Sequence, residues 1–147
     1  MRIIYDTNVL LDYLLERGEF KVNSEKVVFV GFCGMEEGFI TSSIVTDLYY
    51  FYSREVGNIP AQERIEALVN QLSVITVTAD DIKESLKRRW DDMEDCLLSV
   101  CAEKVGGQFI ITRNVEDFKK SSVKAITPEQ YFEWCESNNI HYELVDY

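Results

Sequence analysis

Arg2-Ile3-Ile4-Tyr5-Asp6-Thr7-Asn8-Val9-Leu10-Leu11-Asp12 opens the chain, and its reading decides the fold. Arg2 to Tyr5 is a short apolar run that stops at a carboxylate, the pattern of a buried strand. Asp6-Thr7-Asn8 is turn and cap chemistry. Val9, Leu10, Leu11, Tyr13, Leu14 and Leu15 then predict a helix ending near Gly18.

The same alternation continues downstream. A helix is expected from Ser24 to before Gly38, a strand at Phe39-Ile40-Thr41, and N-caps at Ser42-Ser43 for a helix over Ile44 to Glu55. Ile65, Leu68, Val69 and Leu72 form another helical stripe, and Val74 to Val77 a β-branched strand. Asp80 to Arg89 reads as a helix with acids first and bases last, as the helix dipole prefers. A further helix runs from about Asp92 to Gly106-Gly107. Strands follow at Phe109 to Thr112 and Val123 to Ile126, then a helix from Pro128 to about Glu136, and an edge strand is expected over Ile140 to Val145. Short apolar strands alternating with amphipathic helices predict a single α/β domain over 1–147, with a mostly parallel sheet.

Composition narrows the chemistry. At 147 residues, with 46% apolar and 12% aromatic side chains, the chain can bury a core without disulfides or structural metal. No apolar run approaches the roughly 18 residues of a membrane span, and no secretory segment opens the chain, so the expected compartment is the cytosol. Cys33, Cys96, Cys101 and Cys135 form no C-x-x-C pair and read as reduced, mostly core thiols. His141 is the only histidine, which argues against a zinc site of His and Cys and against a Ser-His-Asp or Cys-His engine. Chemistry must run on carboxylates. A net charge of −11 disfavours general attraction to a polyanion, yet acids gathered round bound cations remain compatible with a nucleic-acid enzyme.

Ligands of parallel α/β sheets bind outside the carboxyl ends of the strands, so the position of each acid is informative. Asp6 follows the first predicted strand. Asp47 lies early in the helix after the second, and Asp92 and Asp95 begin the helix running to Val105. Asn114 and Asp117 follow the strand Phe109 to Thr112. All belong to one sheet edge. Asp95 lies off the apolar stripe of its helix, stacked over Ser99 and Ala102, small residues that permit close approach by another element. Each acid also has an ordinary reading: Asp6 and Asp92 as N-caps, Asp47 and Asp95 as dipole complements, Asn114 and Asp117 as turn formers.

Asp6-Thr7-Asn8-Val9-Leu10-Leu11-Asp12, Asp92-Met93-Glu94-Asp95-Cys96-Leu97 and Ile111-Thr112-Arg113-Asn114-Val115-Glu116-Asp117-Phe118, in that order, resemble the PIN-domain family. Thr127-Pro128-Glu129 followed by an aromatic helix resembles its usual ending. The likeness is greatest to the compact VapC-type toxins of toxin–antitoxin pairs. It implies a three-layer α/β/α fold, an acid cluster holding Mg²⁺ or Mn²⁺, hydrolysis of RNA phosphodiesters, a homodimer, and inhibition by a cognate antitoxin.

Carried over by position, Asp6 matches the first family acid and Asp95 the third. Asp47 takes the second place, where the family usually has Glu. Asn114 takes the fourth, where Asp is common and Asn occurs in a T-R-N-x-x-D-F variant, with Asp117 then able to serve. The resemblance makes Asp6, Asp47 and Asp95 the catalytic residues, with Asn114 and Asp117 as further metal ligands. Thr7, Asn8, Asp92 and Thr112 are expected to support them, and Arg113, Arg88, Arg89 and Lys119 to contact RNA, with Trp90 available for stacking. Asp for Glu at 47 shortens the reach by one methylene, and Asn at 114 removes a charge that a hard dication favours. Those departures and the net charge support a second reading, a catalytically weakened PIN-like module acting in protein interaction. A third, phosphoryl transfer through an aspartyl intermediate, needs an acid two residues after Asp6, where Asn8 stands. A different metal-acid fold cutting DNA is a further alternative, because no residue here reads a 2′-hydroxyl.

Overall fold

The computed structural model describes residues 1–143 and 145. Its strands are β1 (Arg2–Tyr5), β2 (Glu37–Thr41), β3 (Ser73–Ile75), β4 (Phe109–Ile111) and β5 (Lys124–Ile126). They form one parallel sheet in the order β3-β2-β1-β4-β5. Helices α1 (Thr7–Leu15) and α2 (Lys21–Phe32) join β1 to β2, and α3 (Ser42–Val56) and α4 (Asn58–Gln71) join β2 to β3. α5 (Ala79–Arg88) and α6 (Met93–Lys104) join β3 to β4, a 3-10 turn (Val115–Phe118) joins β4 to β5, and α7 (Pro128–Ser137) follows. α1 packs on α2 and α3, α3 on α4, and α2 on α7, whereas α5 and α6 pack on each other. Two helical layers therefore enclose the sheet, the expected α/β/α arrangement.

β1 sits in the middle because every side chain after Arg2 is apolar. Ile3, Ile4 and Tyr5 are fully buried, and alternate residues of a strand face opposite sides, so both faces must be covered. Tyr5 fixes α2 by donating from Oη to the Val27 carbonyl at 2.7 Å. Glycine makes room for the ring: a Cβ on Gly38 would lie 2.9 Å from Tyr5 Cε2 and 2.8 Å from Leu72 Cδ2.

Several local expectations are corrected. Ile140–Glu143 and Val145 carry no strand, and Leu144 lies outside the described residues. Instead the Tyr142 hydroxyl meets that of Tyr131 at 2.6 Å and donates to Glu36 at 2.9 Å, and Val145 is buried. Thr41, not Ser42 or Ser43, caps α3 by accepting the Ile44 N–H at 3.2 Å. In the aromatic run Tyr49-Tyr50-Phe51-Tyr52 of α3, which by its spacing would be expected mostly in the core, Tyr50 and Phe51 are exposed. Cys33 is exposed while the other three thiols are buried. α6 has no solvated face over its middle: Cys96 to Ala102 are all buried. Among the described residues no helix is long and apolar enough to cross a membrane.

The order 3-2-1-4-5 places the reversal of winding between β1 and β4. Crevices for ligands open outside the carboxyl ends at such a point. Asp6 and Thr112 follow those two strands, and the Asp6 amide joins them by donating to the Ile111 carbonyl at 2.9 Å.

Candidate functional site

Asp6 is both the N-cap of α1 and the centre of a hydrogen-bonded knot. Its extended backbone (φ −79°, ψ 156°) turns Oδ1 onto the Thr7 N–H at 2.7 Å. Oδ2 accepts from the Thr112 hydroxyl at 2.8 Å and from Asn8 Nδ2 at 3.3 Å. Asn8 also donates to Thr112 Oγ1 at 3.3 Å and accepts the Arg113 N–H at 3.2 Å, while the Asn114 N–H donates to Thr112 Oγ1 at 3.1 Å. The turns after β1 and β4 are thus laced together around one carboxylate. Thr7 takes part through its backbone, and Asn8 and Thr112 through their side chains.

The other acids arrive from α3, α6 and the 3-10 turn. Asp92 caps α6, accepting the N–H groups of Glu94 at 2.9 Å and Asp95 at 3.2 Å. Asp47 lies beyond the first turn of α3, which holds no acid, so the dipole reading does not account for it. Asp6, Asp47, Asp92, Glu94, Asp95, Asn114 and Asp117 line one open cleft of about 680 Å³. No sequence pattern marks Glu94 as a site residue, although it lies within the Asp92-Met93-Glu94-Asp95 stretch. Because α6 points its N-terminus at the cleft, adjacent first-turn residues can both face it. Arg17, Tyr50 and Phe51 also line the cleft. No periodic signal marks Arg17, which follows the end of α1.

Crowding of like charge governs the electrostatics. Burial, then the charges of Asp92, Asp6, Asp117 and Glu94, push the Asp95 carboxyl up to about 7. Asp6 is raised by burial, against the opposing hydrogen bonds of Thr112 and Thr7. Burial raises Asp47, and Glu94 is raised first by the charge of Asp47 and then by burial. Carboxylates gathered this way call for a cation.

Among the described residues no three acidic, His or Cys side chains stand close enough to enclose a single ion. The donor set nonetheless suits Mg²⁺ or Mn²⁺. Hard dications take carboxylate oxygens, and Mg²⁺ keeps several waters and binds through one or two carboxylates plus substrate phosphate, needing no full protein cage. Asp6 fits this pattern, since protein donors already engage both of its oxygens and fix their direction.

The basic residues diverge. Arg113 lies 2.8 Å through Nε from buried Asp12 and stacks over Phe20 at 4.4 Å. It lines a neighbouring hollow with Ser24 and Pro128 rather than the acidic cleft. Arg88 is held by Glu84 at 3.0 Å and by both oxygens of Glu103 at 2.9 and 2.8 Å. Arg89 is exposed, in the left-handed conformation (φ 55°) that ends α5. Lys119 and Lys120 border a hollow of about 290 Å³ with Trp90, and its remaining wall is Asp91, Asp92, Asp95, Glu116 and Asp117. It adjoins the cleft through Asp92, Asp95 and Asp117.

No curated protein is significantly similar to the chain in sequence. Solved structures resemble its fold. The DNA-bound VapBC of Salmonella typhimurium superposes with a TM-score of 0.65 at 14% identity, over 87% of this chain and 98% of that one. VapBC2 of Rickettsia felis, bound to a fragment of its promoter, gives 0.64 at 15% identity over 86% and 98%. VapC20 of Mycobacterium tuberculosis, a sarcin-ricin loop cleaving toxin, gives 0.60 at 15% identity over 74% and 86%. The family profile described as PIN domain matches residues 2–116, a span holding Asp6, Asp47, Asp95 and Asn114. With that match added to the parallel sheet and the acids at its switch point, the chain belongs to the PIN-domain family.

Proposed function

We propose that the protein is a metal-dependent endoribonuclease, the toxin of a toxin–antitoxin pair, acting in the cytoplasm as a homodimer restrained by a cognate antitoxin. The observation that carries this reading is the meeting of acids from four distant stretches in one cleft at the β1–β4 boundary. Support for RNA as substrate and an antitoxin as partner comes from the fold shared with VapC20 and with VapBC complexes.

Asp6 and Asp95 would hold Mg²⁺ or Mn²⁺ with waters completing its shell, Asp47 would bind the ion or orient the attacking water, and Asn114 and Asp117 would support a second ion or the waters of the first. The bound ion supplies Lewis acidity toward the phosphodiester and an activated water. The chain's own part is orientation. Thr112 Oγ1 and Asn8 Nδ2 hold Asp6 Oδ2 in one direction, and Asp92 anchors the first turn of α6 that carries Asp95. Trp90, Lys119 and Lys120 offer a stacking face and cations where the RNA strand leaves the cleft.

A labelled single-stranded RNA incubated with the protein in Mg²⁺, in Mn²⁺ and in EDTA tests the reading. Cleavage is expected with the dications and should disappear in EDTA and in Asp6→Asn. Intact RNA under all three conditions would refute it. The short Asp47, the neutral Asn114 and the open acid cluster favour a second reading, the weakened module binding protein. A calorimetric Mn²⁺ titration separates the two, because that module would bind no ion at the cleft.

A further inference from the structure

We propose that Arg17 grips the substrate's phosphate in the acidic cleft and that Asp12 is its positioning residue. Arg17 is the one basic side chain lining the cleft among the described residues. The inference rests on the ribonuclease reading and adds to it a residue outside the family's acid set.

Asp12 is the least exposed carboxylate of the region, at 0%. Neither of its oxygens has a hydrogen-bond partner. A carboxylate is costly to bury without compensation, and what compensates this one is paired cations. Arg113 Nε lies 2.8 Å from Oδ2, and Arg17 Nη1 lies 3.8 Å from Oδ1. Two guanidiniums share one negative charge, so the trio carries one positive charge in surplus.

The two arginines are not equivalent. Arg113 is immobilised against Asp12, against the Phe20 ring and, through its backbone, against Asn8. Arg17 has the longer ion-pair contact, a side chain 40% exposed, and no further side-chain partner among the described residues. Glu16 adopts the left-handed conformation (φ 51°) that ends α1, and the Arg17 N–H returns to the Asp12 carbonyl at 3.1 Å. That turn holds Arg17 beside Asp12, and Arg17 lines the cleft together with Leu11 of α1.

Every other charged lining group is a carboxylate and repels a polyanion. A guanidinium presents paired N–H donors that match phosphate oxygens, and donors fixed before the reaction act most strongly on charge that develops during it. Buried Asp12 fixes the position of the guanidinium without fully neutralising it.

The test uses the full-length protein with a fluorescent single-stranded RNA oligonucleotide. Anisotropy titrations run across a KCl series with Mg²⁺, in an Asp95→Asn background that prevents cleavage. Turnover is measured in the otherwise native chain. Arg17→Gln should lower the slope of log affinity against log salt by about 0.7, one phosphate contact on a single strand. It should also cut kcat about 100-fold, the scale for losing one preorganised donor. Arg17→Lys should keep the slope and recover only part of the rate, having charge without the planar fork. Lys83→Gln, at an exposed position of α5, removes the same charge and should change neither. Asp12→Asn should raise KM and lower kcat together, but the proposal does not depend on that variant folding. An Arg17→Gln protein with the wild-type slope and kcat would overturn the assignment while wild-type cleavage left the ribonuclease reading standing. A wild-type protein that neither binds nor cleaves RNA would overturn both.

Discussion

Asp95→Asn should make the protein more stable at alkaline pH in the absence of divalent metal. Asp95 titrates near 7 in the folded chain, against 3.8 for an ordinary aspartate, because burial and then Asp92, Asp6, Asp117 and Glu94 oppose its charge. Between those two values the folded state binds more protons than the unfolded one, so stability falls as pH rises through that window and levels off above about 7. At 1.36 kcal/mol per tenfold change in proton affinity, full ionisation would cost roughly 4 kcal/mol. Solvent relaxation in an open cleft reduces this to ~1–2 kcal/mol. For a chain of this size that corresponds to a melting temperature higher by about 3–8 °C for Asp95→Asn at pH 8.5. Circular-dichroism melts of both proteins in EDTA, at pH 5 and pH 8.5, give the comparison. The wild type should lose more stability across that interval than the variant, and the gap between them should already be smaller at pH 5, where Asp95 is neutral in the folded chain and mostly ionised in the unfolded one. Equal melting temperatures at pH 8.5, or equal pH slopes, would show that the neighbouring acids do not oppose the Asp95 charge.

Asp6→Asn should reduce Mg²⁺- or Mn²⁺-dependent RNA cleavage by at least about 100-fold with an unchanged circular-dichroism spectrum, since the amide oxygen still accepts the Thr7 N–H and the amide nitrogen can donate to the Thr112 hydroxyl instead of accepting from it. Asp47→Glu restores the methylene that the family usually has and should tighten Mn²⁺ binding several-fold by calorimetry. An unchanged or weaker affinity would mean that Glu94, whose charge already couples to Asp47, occupies that space. Tyr5→Phe should cost about 1–2 kcal/mol in urea unfolding by leaving the buried Val27 carbonyl without its donor, and Gly38→Ala should cost about 1–3 kcal/mol by forcing a methyl against Tyr5 and Leu72.

Five strands are legible in the sequence because each is a short apolar run ending in turn chemistry, and β1 is the plainest, with three fully buried residues before Asp6. The sixth expected strand fails for a physical reason. Ile140 to Val145 has β-forming residues, but Tyr142 is engaged as a polar anchor to Tyr131 and Glu36, contacts that no local pattern encodes. The acids of the cleft could be placed on one edge from the strand-end rule, because Asp6 directly follows a strand, Asp92 and Asp95 open a helix, and Asp47, Asn114 and Asp117 lie in the segments that come next after β2 and β4. Periodicity does not mark Glu94, since it sorts helical residues into faces, whereas the end of a helix can present adjacent residues to the same space. Arg113 illustrates the converse. It adjoins Thr112 and Asn114 in sequence, yet its guanidinium turns to Asp12 and Phe20, while Arg17, far off in sequence, lines the cleft.

The net charge of −11 then acquires a specific meaning on the proposed reading. RNA affinity comes mainly from neutralised phosphates, and this cleft concentrates carboxylates at the place where a phosphodiester must sit. A dication there would do two things at once. It would supply the Lewis acid for hydrolysis and convert a repulsive cleft into one that admits a phosphate, leaving Arg17 as the protein's own cation at that point. Arg88, bound by Glu84 and Glu103, contributes its charge to joining α5 and α6 instead. Lys119 and Lys120, beside Trp90, border a hollow that shares Asp92, Asp95 and Asp117 with the cleft, where they could hold the flanking strand next to the metal-binding carboxylates. The acidity of the chain is in this sense part of the site: it makes access by RNA conditional on the same ion that the chemistry needs.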